Sequence, residues 1–221
     1  MPLLHIKTID QHTKIGFWNL AEPLEALHQA LPPHVTVEER LAQVHHKRQR
    51  EWLASRVLVY RLLEEFTPLP LQLLRNQYGK PYFPDSRFHV SISHSPELAA
   101  VILSDKYEVG IDIELVSPKA LRVQEKFLTD EEKTYTLADE QRTCLYWSAK
   151  ETLYKLYSRK RLVFKENLSV APAEEPNVLQ GRVQTENFSK LYRIYHDILH
   201  EHILTYCVDK DPKQVKQTQT P

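Results

Sequence analysis

Cysteine, net charge and long apolar runs are what this 221-residue chain has least of. Its two cysteines, Cys144 and Cys207, are too few for a disulfide scaffold, and no Cys-x-x-Cys pair offers a zinc site. Lysine plus arginine and aspartate plus glutamate each number 29, so the formal charge is zero. A bulk nucleic-acid binder normally carries a strongly basic face, and none is implied here. No apolar stretch approaches the roughly 20 residues needed to span a bilayer. Residues 1–10 lack the apolar core and small-residue cleavage site of a secretory signal. The expectation is a cytoplasmic protein with neither membrane nor nucleic acid as partner. Its 42% hydrophobic and 26% charged content is ordinary, and its length suffices for a real core in one domain or two small ones.

Read in order, Leu3–Ile9 and Lys14–Leu20 have the pattern of two strands around a polar turn, and Glu22–Leu31 that of a short helix stopped by Pro32-Pro33. Thr36 and Glu39 have capping-box spacing and open a helical periodicity running to about Phe66. That helix bears a basic cluster from His45 to Arg50, followed by Arg56. The cluster is either a solvated face or an anion surface, since arginine presents a planar fork to phosphate oxygens. Asn76–Pro81 contains a Gly-Lys-Pro turn. Phe88–Ser95 alternates, with Phe88, Val90 and Ile92 on one face and His89, Ser91 and Ser93 on a polar one. No Gly-x-Ser-x-Gly elbow accompanies its serine and histidine, which argues against a hydrolase. Leu98–Ser104 and Tyr107–Ile113 read as a hairpin through Asp105-Lys106. Helices are predicted over Leu121–Phe127, from the Thr129/Glu132 capping box, and from about Asp139 to Ser158. The remainder, from Leu162 to Val208, reads as largely β, and 209–221 as a disordered tail.

Two stretches carry the chemistry. In Val109–Glu114 the period of a strand puts Asp112 and Glu114 on one side and Ile111 and Ile113 on the other. Two like charges at the end of an apolar strand call for a cation, and hard carboxylate oxygens suit Mg²⁺. Taken alone, the pair is more simply an exposed acidic strand end. In Trp147–Lys155, a helical run without glycine or proline, Trp147, Glu151 and Lys155 recur every four residues and share a face. The aromatic on that stripe implies partial burial.

Together the stretches resemble the signature motifs of the 4′-phosphopantetheinyl transferases, specifically the larger monomeric type related to the surfactin-synthetase activator. That family pairs a (V/I)G(I/V)D-x-E strand with a (W/F)-x-x-KE-x-x-x-K helix, and Asp112, Glu114, Lys150, Glu151 and Lys155 match in order. The resemblance implies an α+β fold of two similar halves about a pseudo-twofold axis. They would be an N-terminal half over 1–105 and a C-terminal half over 106–208. It implies transfer of 4′-phosphopantetheine from coenzyme A to a serine of an acyl or peptidyl carrier protein, releasing adenosine 3′,5′-bisphosphate. Asp112, Glu114 and Glu151 would hold Mg²⁺, with Mn²⁺ suiting the same ligands. Glu151 would be the base, Lys155 would neutralise or protonate the leaving phosphate, and Lys150 would add a phosphate contact. Arg50, Arg56, Lys80, Ser93 and His94 would bind the coenzyme. Phe127–Glu132 resembles the family's segment near the carrier-docking surface, and the chain around Arg159-Lys160-Arg161 is expected to add a basic rim.

Two other functions would use the same residues. A metal-dependent nuclease or phosphatase could employ the Asp, Glu and Lys set, but would want a stronger basic track and would leave the Ser-His strand and Gly-Lys-Pro turn as coincidences. A coenzyme A or carrier-protein binding module without turnover would not need Lys150, Glu151 and Lys155 all intact.

Overall fold

The computed structural model describes residues 3–84, 87–159 and 162–211. They form two compact units, one up to Tyr107 and one from Glu108 onward, and the fold is α+β throughout.

In the first unit, β1 (Leu3–Asp10), β2 (Thr13–Asn19), β5 (His89–His94) and β6 (Leu98–Ser104) make an antiparallel sheet in the order β1-β2-β6-β5. After β2 come α1 (Leu24–Gln29), α2 (Glu38–Ala42) and α3 (His46–Glu64), then a ribbon of β3 (Leu74–Arg75) and β4 (Pro81–Tyr82). Leu53, Val57, Leu58 and Leu62 of α3 are fully buried in one core with Val101 and Leu103. The ribbon turns through Asn76, whose Oδ1 accepts the N–H groups of Tyr78 and Lys80, and Gly79 takes the left-handed φ of 88° that the turn requires.

Two expectations change in this unit. The helix predicted from Thr36 is broken at Gln43–His45, and Val37, not Thr36, precedes its first turn. Neither glycine nor proline marks the break. Instead the Gln49 side-chain amide donates to the carbonyls of Leu41 and Val44, at 3.1 and 3.2 Å, and so satisfies groups that a continuous helix would use. Ser91 and Ser93, on the polar face of β5, are buried. The predicted hairpin does not form, because both edges of β6 are taken by β2 and β5.

The second unit begins with β7 (Glu108–Leu115), followed by α4 (Pro118–Arg122), a 3₁₀ turn at Gln124–Lys126, α5 (Asp130–Thr136) and α6 (Glu140–Tyr157). Then come α7 (Phe164–Asn167), in a stretch expected to be largely β, β8 (Leu168–Pro172), β9 (Val178–Thr185), β10 (Phe188–Leu199) and β11 (His202–Asp209). The sheet order β7-β11-β10-β9-β8 is antiparallel and makes β7 an edge strand. The expected boundaries of α6 hold. Asp139 caps its N-terminus by accepting from the Arg142 N–H, and Ser158 closes it in the left-handed conformation. The capping box at the start of α5 forms in both directions. The predicted tail lies, beyond Asp211, outside the described residues.

Helix α6 lies across this sheet, and a chain of buried hydroxyls pins it. Thr205 Oγ1 of β11 is 2.9 Å from Ser148 Oγ and 2.7 Å from Thr152 Oγ1. Gly110 permits the approach to β7, since a Cβ there would lie 2.6 Å from the backbone carbonyl of Thr152. A backbone group cannot swing aside as a side-chain tip can. Gly110→Ala is therefore expected to cost about 1–3 kcal/mol, read as a lowered urea midpoint with an unchanged slope.

Candidate active site

The face of β7 that carries Gly110 continues at Asp112 and Glu114, as the strand period requires, and meets α6 along its length. Lys155 Nζ donates to Asp112 Oδ1 at 2.7 Å and to the Ile111 carbonyl at 3.1 Å. Trp147 Nε1 donates to Glu114 Oε1 at 2.9 Å. Asp112 is almost wholly buried, while Glu114, Trp147, Glu151 and Lys155 are half-buried. Ile111 and Ile113, on the opposite side of the strand, are fully buried.

The carboxylates feel one another. Burial and then the charge of Asp112 push the Glu151 carboxyl up to about 7, against the lowering effect of Lys155. Burial and Asp112 also raise Glu114, which the Trp147 hydrogen bond partly offsets. The Cys144 thiol is pushed up to about 12 by burial and by Glu114 and Asp112, so it stays protonated. Both cysteines are free and buried. Lys119 on α4 acts on Glu114 and Glu151 and is a cation of the site that sequence reasoning did not single out. Its only signal was its place just after the acidic strand.

Would these residues suit a divalent cation? Their hard oxygens and mutual repulsion are what such an ion would satisfy. Among the described residues, however, no three acidic, histidine or cysteine side chains are grouped so as to hold a metal. Lys155 supplies the positive charge on Asp112 instead. The donor set fits in kind, and ligation by all three carboxylates would require their side chains to close together.

Lys150 is not where the motif led us to expect it. The expected phosphate contact is fully buried, and its Nζ donates to Glu132 Oε2 at 2.8 Å and to the carbonyls of Phe127 and Phe164 at 2.6 and 3.4 Å. Glu132 in turn accepts from the backbone N–H groups of Thr129 and Val170. Lys150 thus ties α6 to α5, α7 and β8, with no side left for a ligand.

The other expected residues lie in the first unit. Arg50 is exposed on α3, whereas Arg56, further along, is buried. The Arg56 guanidinium stacks 3.8 Å from the Trp52 ring centre and donates to the Trp52 carbonyl and Ser55 Oγ. Lys80 follows Gly79 in the ribbon turn. Ser93 is buried, and its neighbour His94 is exposed, with Nδ1 3.4 Å from Glu51 of α3. Of the proposed basic rim, Lys160 and Arg161 lie outside the described residues. Among the described residues, no helix is long and apolar enough to cross a membrane.

Comparison with known proteins agrees with the motifs. Residues 37–104 match the model of the 4′-phosphopantetheinyl transferase N-terminal domain, and 108–207 that of the 4′-phosphopantetheinyl transferase superfamily. The 4′-phosphopantetheinyl transferase ffp of Bacillus subtilis is 30% identical over 158 residues, 67% of this chain and 68% of that protein. The transferase Sfp of B. subtilis strain 168 is 38% identical over 85 residues, 36% of this chain and 38% of its own. The transferase AcpT of Salmonella typhi is 41% identical over 73 residues, 33% of this chain and 36% of its own, so the chain spans about a third of that relative's length. The chain belongs to the 4′-phosphopantetheinyl transferase superfamily, and its resemblance to the surfactin-activator type is borne out.

Two outcomes follow from the burial of these groups. Lys150→Ala would strand the Glu132 charge in the core and should destabilise the protein by about 3–5 kcal/mol, measured by chemical denaturation. Glu151 has a folded pKa above its ordinary value of 4.5, so protonation favours the fold. That stability is complete below pH 4.5 and is lost as pH rises through about 7. In EDTA, Glu151→Gln should therefore be more stable than the parent by about 2 kcal/mol at pH 8, and the gap should close near pH 5.

Proposed function

We propose that this protein transfers the 4′-phosphopantetheine group of coenzyme A to a serine of an acyl or peptidyl carrier protein. The observation that supports this best is the layer between β7 and α6, where two strand carboxylates face a glutamate, a lysine and a tryptophan donor. Family membership supports it independently. A nuclease would want a basic track beside this layer, and none runs along these two elements.

In the reaction, the serine Oγ attacks the phosphorus that bears pantetheine. The bond from that phosphorus to the bridging pyrophosphate oxygen breaks, and adenosine 3′,5′-bisphosphate leaves with the bridging oxygen. The serine hydroxyl is a poor nucleophile near neutrality, so its proton must be taken as the bond forms. Glu151 is our candidate acceptor, its affinity for a proton being raised into the working range. Lys155, already a donor to Asp112, lies beside these groups and would neutralise charge gathering on the departing phosphate. Asp112, Glu114 and Glu151 would hold a divalent cation, Mg²⁺ or Mn²⁺. When bound, it would supply charge neutralisation to the pyrophosphate. Arg50, Arg56, Lys80, Ser93 and His94 would bind the coenzyme from the first unit. We place the enzyme in the cytoplasm as a monomer.

The test is the intact mass of an apo acyl carrier protein and an apo peptidyl carrier protein after incubation with the enzyme, coenzyme A and Mg²⁺. One of them should gain a single phosphopantetheine, and EDTA should abolish the gain. Asp112→Ala, Glu151→Gln and Lys155→Ala should each lower the rate by at least about a hundredfold without loss of the folded far-UV spectrum. Coenzyme A binding without any mass gain would favour a binding module, and normal rates in the variants would remove the residue assignment.

A further inference from the structure

Ile203, Thr205 and Cys207 share the side of β11 that meets α6. Ile203 lies in an apolar cluster with Cys144 and Trp147, and Cys207 in one with Leu153 and Leu156. Between them stands Thr205, paired in register with Asp112 of β7. Thr205, Ser148 and Thr152 are all fully buried. The Thr205 hydroxyl is 2.9 Å from Ser148 Oγ and 2.7 Å from Thr152 Oγ1, and Thr152 Oγ1 is 3.2 Å from the Thr205 carbonyl.

The donor inventory gives this network a direction. A carbonyl only accepts, so the Thr152 hydroxyl donates to it. Thr152 then has no proton left for Thr205, which must donate to Thr152 and accept from Ser148. The protons run from Ser148 to Thr205, to Thr152 and on to the Thr205 carbonyl, and no hydroxyl is free to turn.

Gly110 sets how near α6 lies to β7, but not how the helix is rolled about its own axis. The apolar contacts at Ile203 and Cys207 are non-directional and oppose a roll only weakly. Hydrogen bonds weaken steeply once misaligned, so the chain at Thr205 is what resists it. Glu151 is about 60° around the helix from Ser148, and Lys155 about 20°. Side chains reach about 5–6 Å from a helix axis, so a roll of about 20° would carry either charged group by about 2 Å. A misplacement of about 1 Å at a reacting centre can cost about a hundredfold in rate.

We propose that Thr205 is a positioning residue of the active site. Its hydroxyl, linked to Ser148 and Thr152, fixes the roll of α6 and so aims Glu151 and Lys155 at Asp112. The inference rests on the transfer reading for its effect on rate, but not for its effect on how the carboxylates hold a cation.

The experiment compares the full-length parent with Thr205→Val and Thr205→Ser, at a temperature where all are folded. Valine keeps the shape of threonine without its hydroxyl, whereas serine keeps the hydroxyl and loses a buried methyl, so both lower the urea midpoint. Two quantities are read: the affinity for Mn²⁺ alone, from the electron paramagnetic resonance signal of the free ion, and kcat and KM for carrier modification. Thr205→Val should weaken Mn²⁺ binding and lower kcat by at least about tenfold each with KM for coenzyme A within about twofold, while Thr205→Ser stays within about threefold of the parent throughout. Function then follows the hydroxyl and not the urea midpoint. Thr152→Val cuts the same chain from the helix side and should behave as Thr205→Val does, so it decides the matter if Thr205→Val does not fold. Unchanged Mn²⁺ affinity and kcat in the valine variants, a loss in Thr205→Ser as large as theirs, or a parent that binds no Mn²⁺ would overturn the proposal. Mn²⁺ affinity that depends on the hydroxyl in a protein that modifies no carrier would sink the transfer reading and leave the positioning role standing.

Discussion

The second unit depends on how closely one helix can lie on one strand. Without a side chain at residue 110, the backbone carbonyl of Thr152 rests against β7, and every later contact follows from that. Helix α6 runs against the strand, so Leu156 and Thr152 meet Gly110, Lys155 reaches Asp112, and Trp147 meets Glu114. The two repeats are commensurate. Two strand residues advance about 6.6 Å and four helical residues about 6 Å, so the strand's face at 110, 112 and 114 stays in step with the helix stripe at 147, 151 and 155. The motif's spacing is thus a packing requirement before it is a chemical one.

Placed in that layer, the carboxylates cannot all be comfortable as anions. Asp112 is matched by Lys155 and Glu114 by the indole N–H, but Glu151 is raised by burial and by Asp112 with only partial relief. A site tuned this way holds a proton loosely near neutrality and favours any added cation. The other charged residue of the motif solves a different problem. Lys150 and Lys155 are five positions apart, about 140° around a helix, so they cannot serve the same face. One closes a buried ion pair with Glu132 that joins α6 to α5, and the other reaches the strand.

This division explains what could be read from the chain beforehand. Period-two and period-four spacings are local, and they placed Asp112, Glu114, Trp147, Glu151 and Lys155 correctly on their faces. Caps are local too, hence the agreement at Asp139, Thr129 and Glu132. What was missed depends on partners distant in sequence. Adjacent strands 98–104 and 108–115 look like a hairpin until both edges of the first are seen to be taken. Residues Gln43–His45 look helical until Gln49 binds the carbonyls there. Lys150 looks like a ligand for phosphate because its true acceptors are at 127, 132 and 164.

The same limit applies to total charge. A sum of zero is compatible with solvated ion pairs spread over a surface, and it tempts one to exclude polyanionic ligands. In this chain it also covers two clusters of opposite sign, one in each unit: three carboxylates on β7 and α6, and three guanidinium groups around a cavity beside α3. Each holds at least one nearly buried charge, Asp112 or Arg56. Solvation cannot fully relieve such clusters. The acidic cluster, in which burial and Asp112 raise Glu151 against the lowering effect of Lys155 and Lys119, has the pattern expected where a ligand completes the charge.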